Sequence, residues 1–245
     1  MRKLLEIGGI VAAVVLIAFG IAAIVLAVQG NNTVNSELKD QQITGTPDMA
    51  SSSRAIKGEA KVITASQNAL VAKFKAVGES FTPTPVTIPS CSVAGKRVEE
   101  GSSARCFAQY MFIHAMGATN GLVYSQMGRY PAKPGTPFKY TDGNGGVSPS
   151  ASPATIAKYA VTNPVTGQPA DNGARSIWID QVALSTALNS SYMASQLSLF
   201  GLVVGIALLL SGIGFGILAV GGALRSSSGM VKLGGGAKKA SAAPE

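Results

Sequence analysis

The sequence predicts an all-α membrane protein: two transmembrane helices, an extracytoplasmic helical bundle and a long Pro/Gly-rich loop. Three observations predict it. Uncharged apolar runs lie near both ends of the chain, at 8–28 and 199–224. Between them, apolar residues recur at three- and four-residue steps in several stretches. Charged residues fill only 13% of the 245 positions, about half the usual share for a soluble protein.

From Gly8 to Val28, Ile, Val, Leu, Ala and Phe dominate, and as a helix this run covers about 30 Å, the thickness of a hydrocarbon core. Leu199–Leu224 is long enough to cross as well. Backbone amides in lipid must be satisfied internally, so both runs are expected as helices. The competing reading of the first is a cleaved signal peptide. Its apolar run exceeds the usual h-region and no clean small-x-small site precedes Gln29, which favours a retained anchor.

Flanking cations orient the spans. Arg2 and Lys3 precede the first; Arg225, Lys232, Lys238 and Lys239 follow the second. Under the positive-inside rule both termini are cytoplasmic. The expected layout is a cytoplasmic N-terminus 1–7, span 8–28, extracytoplasmic helical domain 29–198, span 199–224, and a basic, disordered cytoplasmic tail 225–245. The formal charge is +8, but most of the basic residues fall in the outer segment, so the charge is poor evidence for nucleic-acid binding. Cys91 and Cys106 are the only cysteines. An even count in an oxidising compartment invites a bridge, whose closure stabilises by about 3 kcal/mol in the chain-entropy model; two buried free thiols are the alternative.

Within the outer segment, 29–42 reads as a helix extension or a linker. Thr46-Pro47-Asp48 resembles a helix start, and 48–78 suits a helix with Ile56, Ala60, Ile63, Leu70 and Phe74 on one stripe. Pro83, Pro85 and Pro89 make 81–89 extended. Ser102 or Ser103 caps a second helix running to about Gly128, its stripe read through Phe107, Tyr110, Met111, His114, Leu122 and Met127. Residues 131–173 form an irregular Pro/Gly-rich excursion with a brief ordered piece at 156–161. From Ala174 the pattern runs without Pro or Gly into the second span, so one helix of roughly 75 Å is expected over 174–224. Trp178 lies too far from the span to serve as an interfacial belt residue.

Chemistry-bearing motifs are sparse. Gly201 with Gly205, and Gly212 with Gly216, form small-xxx-small pairs that let helix backbones approach in lipid, against the other span or against another membrane protein. Neither span holds an interior ionisable residue, the usual mark of an ion path. His114 is the single histidine; a helical histidine among apolar neighbours reads as a packed residue hydrogen-bonded to backbone. Thr141–Gly146 hints at a calcium loop, but the fifth position is Gly146 and the twelfth Pro153, so a glycine-rich turn is the better reading. No P-loop or GxSxG elbow occurs. No catalytic, cofactor-binding or metal-ligating residue is assigned, and no cofactor is expected.

Several short stretches together resemble a family of uncharacterised actinobacterial two-span membrane proteins. They are Cys91–Gly95, Ala104–Ala108, Tyr110-Met111, Ile113–Ala115, Tyr124, Met127–Tyr130, Ala187–Ala194, Val203–Gly205 and Ser211–Phe215. Some members carry the description aromatic ring-opening dioxygenase. A non-haem iron site of that kind wants two histidines and a carboxylate, so the resemblance implies topology and envelope location and no activity. The expected function is a non-enzymatic accessory or scaffold subunit of a larger membrane assembly. Its partners are the lipid bilayer and other membrane proteins, or a second copy met through the small-residue faces. The alternative is an extracytoplasmic module binding or sensing a small molecule or cell-wall component, with Phe107, Tyr110, Phe112 and Tyr124 lining a pocket.

Overall fold

The computed structural model describes residues 2–221; the expected tail 225–245 and the end of the second span lie outside the described residues. The described chain is mostly helical and contains no β-strand, only isolated bridges. Five α-helices follow in order: α1 Arg2–Asp40, α2 Arg54–Ala76, α3 Gly101–Ala118, α4 Pro153–Tyr159 and α5 Gly173–Val220. The chain divides into two compact units, one formed by Met1–Gln29 with Leu197–Glu245 and the other by Gly30–Gln196.

The first unit pairs the apolar parts of α1 and α5. Ala27 meets Gly201, Ile24 and Gly20 meet Gly205, Ile17 and Ala13 meet Gly212, and Ala13 meets Gly216. Numbers fall along one helix as they rise along the other, so the pair is antiparallel. The seam needs its glycines: a β-carbon on Gly205 would stand 2.7 Å from the Ile24 side chain and 2.9 Å from the Gly20 carbonyl. Such close backbone approach supplies dispersion contacts where lipid offers no hydrophobic drive. Phe19, Leu26, Phe200, Leu210 and Ile217 face outward. Only 17% of the most apolar stretch of each helix is buried, whereas the core helix of a soluble protein is mostly buried. Both helices are long and apolar enough to cross a membrane.

The second unit is built on α2 and α3, which pack together. Ile56, Ile63 and Leu70 of α2 meet Phe107, Tyr110, Ile113 and Met116 of α3 in one core, joined by Leu38, Met49, Val93, Leu122, Trp178 and Leu188. The α2 stripe follows the expected residues, but the helix begins at Arg54, six positions after Asp48, capped by Ser53 Oγ accepting from the Ala55 amide. The reason is tertiary. Residues 43–50 spend their backbone groups on the segment 93–98: Gly45 N–H donates to Lys96, Val93 N–H to Met49 and Val98 N–H to Ile43. A helix over 48–53 would take the Met49 carbonyl away from Val93.

α3 also differs from its expected span. It starts at Gly101, where Ser103 Oγ accepts from the Glu100 amide, and it stops at Ala118 rather than near Gly128. Asn120 and Gly121 both take positive φ, 51° and 83°, and the Gly121 amide donates back to Met116. Glycine at this left-handed position ends the helix at little steric cost. Thr119 Oγ1 donates to Leu122, and the Trp178 indole N–H also donates to Leu122, 2.9 Å away.

Segment 29–42 continues α1 as helix to Asp40. The Pro/Gly-rich stretch carries α4, capped by Ser152 with Pro153 in its first turn. Antiparallel bridges pair Pro131 with Gly146, Ala132 with Ala160 and Thr162 with Pro169. Proline lacks the amide a ladder needs, which limits the pairings at Pro131 and Pro169.

Candidate functional site

Three elements of the second unit converge on His114. The imidazole projects from the C-terminal half of α3, with Nδ1 3.0 Å from Glu59 Oε2 and Nε2 3.2 Å from Asp48 Oδ2. Glu59 comes from the first turns of α2 and Asp48 from the loop before it. One ligand-type atom from each residue lies within 4.8 Å of the others. The side chains are about one quarter exposed, at 27%, 28% and 26% for His114, Glu59 and Asp48, so solvent reaches the cluster.

Each partner is held by a specific local feature. Glu59 Oε1 occupies the space a β-carbon on Gly117 would need, so this glycine in the last turn of α3 makes room for the carboxylate. Asp48 sits in the loop that pairs with 93–98, and the Cys91–Cys106 disulfide ties the start of that segment to α3. Tyr110, one turn before His114, donates its hydroxyl to the Cys91 carbonyl at 2.8 Å. Burial, and secondarily the negative charge of Asp48, push the Tyr110 phenol above its ordinary value of 10.0. The sequence reading of His114 as a residue bonded to backbone is therefore corrected: its partners are two carboxylates. A neutral imidazole has one N–H to give, and here both ring nitrogens face acceptors.

A second feature lies on the other side of the turn after α3. A cavity of about 370 Å³ is lined by Tyr124, Arg129, Asp171, Asn172, Arg175 and Ser176. Arg175 stacks on Tyr124 at 4.0 Å and Arg129 lies over Tyr130 at 5.4 Å. Neither guanidinium has a carboxylate in salt-bridge range among the described residues. Their placement follows from Asp142, which is buried and accepts from three amides, Gly128, Asn144 and Gly146, each at 2.8 Å. This is the glycine-rich turn expected at 141–146. Asn172 then clasps Gly128 and Arg129, donating its side-chain amide to the first carbonyl and its backbone amide to the second.

Of the residues singled out from sequence, Cys91 and Cys106 form the disulfide, and Gly201, Gly205, Gly212 and Gly216 lie along the α1–α5 seam. Phe107 and Tyr110 are core residues, Phe112 packs edge-on against Trp178, and Tyr124 is exposed beneath Arg175. Glu59 and Arg175 belong to no motif in the sequence, and Asp48 and Arg129 have no ligand-binding role there. Asp48 and Glu59 lie 66 and 55 positions from His114, and no local spacing rule links them. Compared with protein-family models, with curated proteins and with solved structures, the chain finds no match.

Proposed function

We propose that the chain is a non-enzymatic integral membrane protein of the bacterial cell envelope, an accessory or scaffold subunit of a larger membrane assembly. The observation that carries this reading is the seam. All four glycines of the small-xxx-small pairs meet α1 of the same chain, and large aliphatic side chains line the outside. The anchor thus closes on itself, leaving its aliphatic exterior for lipid and the unit Gly30–Gln196 for partners. Gly8 and Gly214, with nothing within 4 Å, offer further room for a neighbouring membrane helix.

In this reading both termini are cytoplasmic and 29–198 lies outside, where an oxidising compartment suits the disulfide. It agrees with the resemblance to the actinobacterial two-span family. A reporter that works only after export, fused at the exposed Gly145, is expected to be active; activity of a cytosolic reporter alone would overturn the topology. Cross-linking in intact cells followed by mass spectrometry is expected to recover one recurring partner bound through 30–196. Repeated purification of the chain by itself in mild detergent would count against a subunit role.

The arginine-lined cavity favours a second reading, an extracytoplasmic module that binds an anionic small molecule or cell-wall component. Two guanidinium groups without ion partners suit a carboxylate or phosphate. Titration with inorganic phosphate, and with uronic acids, is expected to show saturable binding that Arg175→Ala removes. Binding equal in the variant would set this reading aside.

A further inference from the structure

We propose that Asp48, Glu59 and His114 form a binding site for a divalent transition-metal ion, with Zn²⁺ and Mn²⁺ the best-suited occupants. Two carboxylates face one imidazole, and no lysine or arginine pairs with either acid among the described residues. A dication seated among them would offset the two acids and take the imidazole as a third donor.

Geometry agrees. The carboxylates face different ring nitrogens, Glu59 at Nδ1 (3.0 Å) and Asp48 at Nε2 (3.2 Å), and either spacing is that of neighbouring ligands around an ion with bonds of about 2.1 Å. Opposite ligands of such an ion stand roughly 4.2 Å apart, so the 4.8 Å spread of the three donors needs a contraction of about half an ångström. Rotation of the Asp48 and Glu59 side chains supplies it.

The donor set selects the ion. One imidazole with two carboxylates suits borderline cations, whereas Ca²⁺ and Mg²⁺ prefer all-oxygen shells. Soft ions want thiolates, and both cysteines are tied in the disulfide. With three protein ligands and solvent reaching the cluster, water completes the coordination. Gly117 strengthens the case: its missing side chain makes the space in which Glu59 reaches the ring.

The test uses the full-length chain, tag-free, in mild detergent, stripped with chelator and titrated calorimetrically with ZnCl₂, MnCl₂ and CaCl₂. One equivalent of Zn²⁺ or Mn²⁺ is expected to bind, more tightly than Ca²⁺, and to raise Tm by several degrees. Glu59→Gln and Asp48→Asn are each expected to weaken binding at least tenfold, and His114→Gln to abolish it. Near-ultraviolet circular dichroism checks that each variant is folded; should His114→Gln unfold, the two carboxylate variants carry the test. No stoichiometric binding by the parent chain, or binding unchanged in Glu59→Gln and Asp48→Asn, overturns the proposal.

Discussion

The carboxylate of Glu59 on α2 lies over Gly117 on α3, in the space a β-carbon there would occupy. Glycine inside a helix costs about 1 kcal/mol relative to alanine, so the default expectation for Gly117→Ala is a gain in stability. Here the methyl group displaces Glu59 from His114. The substitution is expected to destabilise by roughly 1–2 kcal/mol, as overpacking does. In a Glu59→Ala background its sign reverses, to a gain of up to about 1 kcal/mol. A double-mutant cycle in thermal unfolding checks both signs.

Tyr110 gives the fold a dependence on alkaline pH. Burial first, and Asp48 second, raise its phenol above 10.0 in the folded chain. Unfolded, the phenol ionises near the ordinary value. Once the pH passes 10.0, the unfolded chain gives up a proton that the folded chain retains, and the balance moves toward unfolding. This contribution is therefore complete below pH 10.0 and is lost as pH rises through the folded value. Tyr110→Phe is expected to flatten the alkaline decline relative to the parent, at a cost near neutrality of about 1 kcal/mol for the lost bond to Cys91. Denaturant midpoints measured from pH 8 to 11 decide it.

Asp142 is the acceptor on which the loop after α3 closes. Asp142→Ala leaves the amides of Gly128, Asn144 and Gly146 without their acceptor, with an expected loss of about 3 kcal/mol or more. Hydrogen exchange at those three amides should accelerate well ahead of exchange in α2. Uniform acceleration across the unit would mean that Asp142 supports the whole core rather than this loop.

The paired apolar helices separate two kinds of glycine. Gly205→Ala drives a methyl group into Ile24 and the Gly20 carbonyl, whereas Gly214→Ala meets nothing within 4 Å. The first is expected to lower Tm in detergent micelles by several degrees and the second to leave it unchanged or slightly higher. Equal effects would place the seam on another helix face.

Reducing the Cys91–Cys106 bridge, or replacing both residues by serine, is expected to cost about 3 kcal/mol for a loop of this length. Because residues 43–50 pair with the segment that begins at Cys91, protease sensitivity should appear first around Asp48.

The elements with a local cause were legible in the sequence. Hydropathy alone marks the two apolar helices, since twenty consecutive uncharged residues leave few alternatives. The α2 stripe of Ile56, Ile63 and Leu70 follows from helical periodicity, and the pairing of the cysteines from their number. Where the reading slipped, long-range bonds had overruled local preference. Thr46-Pro47-Asp48 has the chemistry of a helix start, yet its neighbours on either side, Gly45 and Met49, are bonded to a segment some fifty residues away. The α3 stripe continues in pattern past Gly117, but Gly121 adopts a conformation that ends the helix. The cluster around His114 was hidden for the same reason. In sequence Asp48 belongs to a helix-start pattern and Glu59 to none, because only the packing of α2 on α3 brings them to the ring.

Trp178 is the single tryptophan of the chain, buried at 3% exposure, with its indole N–H on Leu122 and its ring against Phe112. The protein therefore contains one native fluorophore, seated where α5 meets the turn that closes α3. Its emission should be blue-shifted and shielded from aqueous quenchers while that junction holds. Any ligand, partner or variant that loosens it will announce itself as a red shift in one wavelength scan, with no label introduced.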